Sequence, residues 1–430
     1  MIDHFQYNSM YKNDLDFARS LDIDDPLKNY RARFYIPQMD GKEVIYFCGN
    51  SLGLQPKTVK SFIEIELEDW ARLGVEGHFE GRNPWFGYHK QFEGPVSRLV
   101  GALPHEVVVM NALSVNLHLL MTSFYQPNPA RFKILIEGGA FPSDYYAVES
   151  QIRLHGYDVN DSLIELTPRQ GEHTLTTDYI LDKIRKEGSS IAMILLGGVN
   201  YYTGQAFDME AITKAGHEAG CIVGFDLAHA AGNLKLKLHE WGVDFAAWCG
   251  YKYLNSGPGG TSGVFVHERW ADSPELPRLA GWWGYKESER FKMQPGFIPE
   301  YGAAGWQLSN AQIFPMAIHK ASLEIFDEVG MDALRKKSDL LTGYLDFLIR
   351  ERMKEQTEAN FIIITPSDPK DRGAQVSLLA LKNGKELFNK LTANHIIADW
   401  REPNVIRVAP APLYNTFEEV YRFVEVLFGE

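Results

Sequence analysis

Two charged side chains stand where a parallel sheet would offer them to a ligand. The run CIVGFDLAHAAGN reads as a strand ending at Asp226, and DFAAWCGYKY as another ending near Lys252. Open parallel sheets bind ligands at the carboxyl ends of their strands. An acid at one such end and a lysine at another match the needs of pyridoxal 5'-phosphate: an amine to condense with its aldehyde, and a carboxylate to keep its ring nitrogen protonated so that the ring draws electrons. Taken alone, Lys252 would read as a solvated surface lysine, Asp226 as a turn or capping residue and His229 as a satisfied buried histidine. As a set, DLAH followed by YK is far more specific.

A phosphate also needs a cradle. The stretch VVVMNALSVNLHLLM supplies a strand, then Asn111 and Ser114, then a helix. Backbone N–H groups around Leu113 and Ser114 would hold an anion there, with the Ser114 hydroxyl assisting; a plain helix N-cap is the alternative. The loop SGPGGTSG after Lys252 lacks the terminal GK[ST] of a nucleotide-binding P-loop, so its glycines are read as allowing close backbone approach. In FPSDYY, Phe141 is placed to lie on the face of a cofactor ring, or simply in the core, while Asp144 engages polar atoms beside it.

The elements that must position these residues follow from the apolar pattern. EVVVM, FKILIE, IAMILLG, CIVGFD, DFAAWC and GVFVH alternate with helical patterns, which predicts an α/β fold with a mostly parallel central sheet wrapped by helices. KTVKSFIEIELEDWARL reads as a helix, and GHFEGRNPWFGYH as a long loop. A helical stretch over 313–352 and the strand candidates NFIIIT, AQVSLLAL, NHIIAD and NVIRVAP predict a smaller C-terminal α+β domain. The expected organisation is an N-terminal segment, 1–56, packing with the small domain, a large cofactor-binding domain over 57–312, and the small domain over 313–430.

Composition narrows the function class. A chain of 430 residues with 45% apolar, 23% charged and 13% aromatic residues has the makings of a sizeable core. Its 43 basic and 56 acidic side chains, net charge -13, disfavour nucleic acid and anionic membranes as partners. The three cysteines, Cys48, Cys221 and Cys249, form no CxxC pair and suggest neither a disulfide framework nor a metal site, which fits a reducing cytoplasm. The start MIDHFQYNSMYKNDLD is polar and acidic, unlike a targeting signal, and no run approaches the ~18 apolar residues of a membrane span.

Ten longer stretches carry a resemblance: YFCGNSLGLQP, MNALSVNLHLLM, FPSDYY, VNYYTGQAFDM, GFDLAHAAGN, WGVDFAAWCGYKYLNSGPGG, GWWGY, FKM, QLSN and IRVAPAPLYN. Together they resemble the kynureninase family of fold type I pyridoxal phosphate-dependent, transferase-like proteins, almost end to end. The resemblance implies hydrolysis of L-kynurenine, or 3-hydroxy-L-kynurenine, to anthranilate or its 3-hydroxy form and L-alanine, in tryptophan catabolism or NAD biosynthesis. It implies that Lys252 is both cofactor anchor and base, and that Tyr251 touches the phosphate and relays protons to the β carbon; simple phosphate contact is the other reading of Tyr251. Leu113, Ser114, Phe141, Asp144, Asp226, His229 and Tyr251 resemble the family's cofactor contacts, joined by Trp282 and Asn310, which the resemblance assigns to the partner subunit of a homodimer with shared active sites. Gly197 stands where some relatives carry a serine near the phosphate. Arg407 matches the arginine that takes the substrate α-carboxylate with two parallel hydrogen bonds. His78, Ser309 and Asn310 resemble residues around the aromatic ring of a 3-hydroxylated substrate; local loop packing is their alternative reading.

Three other functions share part of this pattern. A cysteine desulfurase or selenocysteine lyase needs a mobile cysteine nucleophile, and Cys221 and Cys249 lie in predicted buried strands. An aminotransferase would share the cofactor and an arginine like Arg407. A binding protein with lapsed chemistry would have no need to keep Lys252, Asp226 and Arg407 together.

Overall fold

Seven short apolar runs pair into one sheet. In chain order they are β1 (Val107–Met110), β2 (Lys133–Glu137), β3 (Leu163–Leu166), β4 (Ile191–Gly197), β5 (Ile222–Asp226), β6 (Phe245–Trp248) and β7 (Ser262–Val266), in a computed structural model that describes residues 11–356 and 358–429. Their order across the sheet is β1-β7-β6-β5-β4-β2-β3. The neighbours from β6 to β3 run parallel, whereas β7 is antiparallel to both β1 and β6. Every strand except β7 therefore points the same way, and β1, β2, β4, β5 and β6 all end on one edge.

The central strands are buried on both faces, which is why they read as unbroken apolar runs in sequence. β3 escapes that signature. Its LIEL alternates with Glu165 exposed, as suits the edge of the sheet, and the sequence pattern did not single it out. Two helices begin at the shared edge: α1 (Leu113–Phe124) after β1, and α2 (Pro142–Leu154) after β2.

The helix predicted from KTVKSFIEIELEDWARL spans Val59–Leu73. The stretch after it is not the irregular loop expected from its glycines and aromatics. It folds into a short helix, Gly77–Glu80, and a 3-10 run, Trp85–Phe92. A buried carboxylate supplies the reason: Glu66 accepts hydrogen bonds from Asn83 (2.8 Å), Trp85 Nε1 (2.8 Å) and Tyr88 Oη (3.1 Å), tying the segment to the preceding helix.

The predicted helical stretch of the C-terminal part is two helices, α3 (Ile313–Val329) and α4 (Met331–Lys354), separated by Gly330 at φ 76°, a conformation that favours glycine. Beyond them β8 (Phe361–Ile363), β9 (Val376–Ala380), β10 (Asp399–Arg401) and β11 (Val405–Val408) form an antiparallel sheet in the order β8-β9-β11-β10. The run NHIIAD divides: Ile396–Ile397 pairs in parallel with Ile45–Tyr46, and Asp399 opens β10. Tyr11, Ala18 and Phe47 pack into the core of this second unit with Tyr344 and Phe423, while Leu27, Phe34 and Leu54 join the core of the large sheet. The N-terminal segment thus contacts both. Among the described residues no helix is long and apolar enough to cross a membrane.

Candidate active site

Asp226 is the last residue of β5, and the turn that follows returns the N–H of Ala228 to its Oδ1 at 2.7 Å. Lys252 lies in the loop just past β6, the strand beside β5. The loop is tight because its glycines leave no room for side chains: a Cβ on Gly250 would stand 2.5 Å from both Ser256 Oγ and the carbonyl of Thr261. Lys252 Nζ donates to His229 Nε2 at 2.9 Å and lies 5.7 Å from the centre of the Phe141 ring. Burial, and then the charge of Lys252, hold the imidazole well below its usual titration range, so His229 is neutral and accepts from the lysine.

Asp144, from the first turn of α2, completes an acid pair with Asp226. Burial lifts both carboxyls, and the charge of Asp226 lifts Asp144 well above the ordinary range. Asp144 keeps the proton and donates it to Asp226, which is the anion of the pair. That is the form a protonated pyridine nitrogen requires of its partner.

At the other end of the cavity α1 begins without a side-chain cap, since the cap position is Ala112. Ser114 sits inside the first turn and so is not the N-cap. Its hydroxyl shares a hydrogen bond with Ser143 Oγ at 2.7 Å. An uncapped helix start with two hydroxyls beside it is a donor set for an anion. Leu113, Ser114, Phe141, Asp144, Asp226, His229, Tyr251 and Lys252 line one cavity of about 160 Å³. The Tyr251 hydroxyl is held protonated, its titration raised by burial and by Cys249. Acid, amine and anion cradle together fit pyridoxal phosphate, and the buried Nδ1 of His229 and Oε2 of Glu137, both without partners, leave polar atoms for a ligand to meet.

Arg407 stands behind the wall of this cavity. It lies on β11, wholly buried, and gives Nη1 to the carbonyl of Tyr201 at 2.6 Å and Nη2 to Asp399 and to Ser51 Oγ. Tyr201 lines the cavity and meets Phe141 edge-on, ring centres 5.3 Å apart.

His78, Trp282, Ser309 and Asn310 lie outside the cavity of their own chain. Trp282, Ser309 and Asn310 are exposed, and His78 is half-buried against Trp85. A relay of ring contacts runs from His78 through Phe79, Phe86 and Phe291 to Trp282. Gly197 is the register partner of Asp226 and faces Glu137, at the carboxylate end of the cavity.

Four neighbours went unnoticed in the sequence. Glu137 ends β2 and lines the cavity; Tyr201, Asp399 and Ser51 hold Arg407. An acid closing the apolar run FKILIE ahead of Gly-Gly was the available signal for the first. The others depend on strand register and tertiary contact, which no local pattern carries.

Elsewhere, a larger cleft of about 600 Å³ between Phe86, His105, Trp283 and Arg290 does not include Lys252. Glu106, His239 and His267 cluster closely, but their lone pairs are committed: Glu106 accepts the N–H groups of Leu103 and Glu268 as well as His239 Nδ1, and His267 Nδ1 accepts the N–H of Arg269.

Comparison with known proteins agrees with this geometry. The model of the aminotransferase class-V family matches residues 88–360, and that of the kynureninase C-terminal domain matches 334–427. A kynureninase of Myxococcus xanthus is 57% identical over 422 residues, 98% of each chain, and one of Flavobacterium johnsoniae is 54% identical over 417 residues, 97% of this chain and 98% of the other. The chain belongs to the kynureninase family. It is accordingly a pyridoxal phosphate-dependent hydrolase.

Among solved structures, the fold is similar to a cysteine desulfurase of Thermococcus onnurineus, TM-score 0.70 at 18% identity over 95% of this chain and 97% of that one. It is also similar to C-DES with glycine linked covalently to its cofactor, TM-score 0.73 at 16% identity over 90% and 96%. The chain thus shares its fold with a cysteine desulfurase, but its thiols differ from a mobile nucleophile. All three cysteines are buried, with Cys48 pushed up to about 12 and Cys249 to about 11 by burial.

Proposed function

We propose that Lys252, Asp226 and Arg407 carry the hydrolysis of the bond between Cβ and the carbonyl Cγ of L-kynurenine, or of its 3-hydroxy form. The observation that supports this most is the meeting of a lysine, an acid pair and an uncapped helix start in one cavity, with a buried arginine behind its wall. When bound, pyridoxal phosphate supplies an electron sink for charge that develops on the substrate α and β carbons.

The chain's own groups do the rest. Asp226 holds the positive charge of the ring nitrogen, with the Asp144 proton keeping the pair to one negative charge. Ser114 and the first-turn N–H groups of α1 hold the phosphate. The Lys252 amine takes the α proton, and neutral His229 orients that amine by accepting its hydrogen. Arg407 grips the α-carboxylate, which fixes the α carbon before Lys252. Water adds to the side-chain ketone; the Cβ–Cγ bond then breaks as a hydroxyl of the hydrate gives up its proton, leaving the bond's electron pair on Cβ. The protonated Tyr251 hydroxyl gives Cβ its proton and is restored by the one the hydrate released, and Lys252 returns the α proton. The products are an aminobenzoate and alanine.

His78, Ser309 and Asn310 read the aromatic ring, and Trp282 and Asn310 serve the cavity of the partner subunit in a homodimer. The exposed rings of Phe79, Phe291 and Trp282, linked by ring contacts through Phe86, support this, since exposed apolar clusters are of the kind partners cover. The units are the N-terminal segment 1–56, the cofactor domain 57–312 and the small domain 313–430. Three free buried thiols suit a reducing, cytoplasmic setting.

The test is to mix the purified, cofactor-saturated protein with L-kynurenine and follow anthranilate fluorescence together with alanine. Equal amounts of both are expected. Protein that is yellow and folded yet releases neither from kynurenine or 3-hydroxykynurenine would overturn the reading.

A further inference from the structure

Glu137 is buried at the end of β2, and its Oε2 has no hydrogen-bond partner. It faces the same cavity as Lys252 and Asp226. Gly197 makes the space: a Cβ there would stand 3.2 Å from Glu137 Oε1, and Gly197 pairs in register with Asp226. The Asn200 side chain engages the Glu137 carboxyl, while its Oδ1 accepts the N–H groups of Tyr202 and Thr203 at 3.0 and 2.9 Å. Glu137 is therefore held from one side by Asn200, while its Oε2 is buried without a partner in the wall of the cavity.

The titratable groups that face it are Asp226 on β5, Asp144 on α2 and the hydroxyl of Tyr201, and Lys252 bears on the two aspartates. Three carboxyls share one pocket, Lys252 bears on two of them, and Arg401 and Arg407 bear on His229 and Tyr201 in its wall rather than on Glu137, so ionising all three is unfavourable. Asp144 has its proton tied up in the bond to Asp226. Glu137 shares its proton with no other acid, and burial pushes it up to about 7. It is the member of the trio whose proton is shared with no other acid and whose titration falls near neutrality.

We propose that Glu137 is a proton-exchanging positioning residue of the cofactor pocket: it holds a proton on Oε2 before the cofactor binds, and loses it to solvent when a protonated pyridine nitrogen docks on Asp226. The O–H bond of the acid breaks, the proton leaves as hydronium, and the carboxylate left behind adds its charge to that of Asp226 in holding the cationic ring. This rests on Asp226 facing the ring nitrogen.

Infrared difference spectra of the full chain, recorded as pyridoxal phosphate is added at neutral pH, read the proton directly. The parent should lose a protonated-carboxyl C=O stretch, and Glu137→Gln, which keeps the volume and the Asn200 contact, should show no such loss. In parallel, cofactor affinity of the parent should tighten as pH rises through neutrality, with Glu137 contributing at most about tenfold per pH unit, and the slope in Glu137→Gln should be shallower by up to one proton. The same carboxyl loss in Glu137→Gln would assign the proton to Asp144 and overturn the proposal, as would no loss in the parent. If the Gln variant fails to take up cofactor, the spectrum of the parent and of Glu137→Asp decides: both should lose the band, and its persistence overturns the idea. Asp226→Asn keeps the two questions apart. Unchanged cofactor affinity there would show that Asp226 does not face the ring nitrogen, whereas weakened affinity there with the parent's carboxyl loss in Glu137→Gln would sink the Glu137 role alone.

Discussion

Asp399 and Arg407 are register partners on the antiparallel strands β10 and β11, and the carboxylate of the first holds the guanidinium of the second. Ser51 from the GNSLG turn bonds to both, and Arg401 reaches Asp399 at 3.2 Å. One carboxylate thus faces two arginines and leaves one positive charge over, at the place where the substrate carboxylate is proposed to dock as the second anion. Without it Arg401 and Arg407 would repel each other, and Arg407 would lose the contact that fixes its plane.

Asp399→Asn is therefore expected to raise KM for kynurenine by about ten- to a hundredfold, the equivalent of one charge-assisted bond of about 1.5 to 3 kcal/mol, with a smaller change in kcat and an unaltered visible cofactor band. Arg407→Lys should do the same, because a point charge cannot reproduce a planar fork. Since the two residues act as one unit, the double variant should cost little more than Arg407→Lys alone. Steady-state kinetics beside cofactor titration checks this. Weakened cofactor with unchanged KM would instead assign Arg407 to the phosphate.

The role proposed for His78, Ser309 and Asn310 at the aromatic ring makes a specificity prediction. Asn310 offers a donor and an acceptor to a phenol, and a site of that kind discriminates when the lesser substrate leaves its polar groups unpaired. The protein should prefer 3-hydroxykynurenine, and His78→Trp with Asn310→Thr should narrow or reverse the preference, by roughly tenfold or more in the ratio of kcat/KM. A double variant that stays yellow and keeps the parent's ratio would place specificity elsewhere.

Two buried histidines shape stability against acid. His89 and His319 are pulled down from 6.5 to about 4 by burial, and His319 stacks on Phe92 with ring centres 5.6 Å apart. The unfolded chain binds these protons near pH 6.5 and the folded chain does not until about 4, so their stability is fully present above 6.5 and is lost as pH falls through that window. Each contributes a slope of up to about 1.4 kcal/mol per pH unit. Urea unfolding at pH 7 and pH 5.5 should show a loss that is smaller by about 1 kcal/mol in His319→Gln.

The buried thiols predict indifference to alkylation. With Cys48, Cys221 and Cys249 all held protonated and out of solvent, iodoacetamide should leave the native protein's activity intact, and replacing Cys249 by Ala should change kcat by less than about threefold, because no thiolate takes part in the chemistry. Rapid inactivation matched by modification of one cysteine would point back toward sulfur chemistry.

Much of this site was legible in the chain itself, for a physical reason. Asp226 and Lys252 end or follow strands that are buried on both faces, and such strands announce themselves as apolar runs with the functional residue at the boundary. β3 carries no unbroken apolar run because one of its faces is exposed at Glu165, so its residues alternate. The segment from Gly77 to Phe92 looked like a loop because Glu66, the group that orders it, lies on the preceding helix. Asp399 could not be seen as the partner of Arg407, since only the register of two strands makes them neighbours. Trp282, Ser309 and Asn310 carry motifs that are plain in sequence, yet their own chain leaves them on its surface.

Whether Lys252 is the amine on which cofactor and chemistry both depend is decided by Lys252→Ala. Purified parent protein should be yellow, with an absorption band at the edge of the visible, and should release anthranilate and alanine from L-kynurenine in equal amounts. The variant, folded and supplied with pyridoxal phosphate, should lose both that band and turnover. A Lys252→Ala protein that releases anthranilate at the parent's rate would show that Lys252 is not that amine.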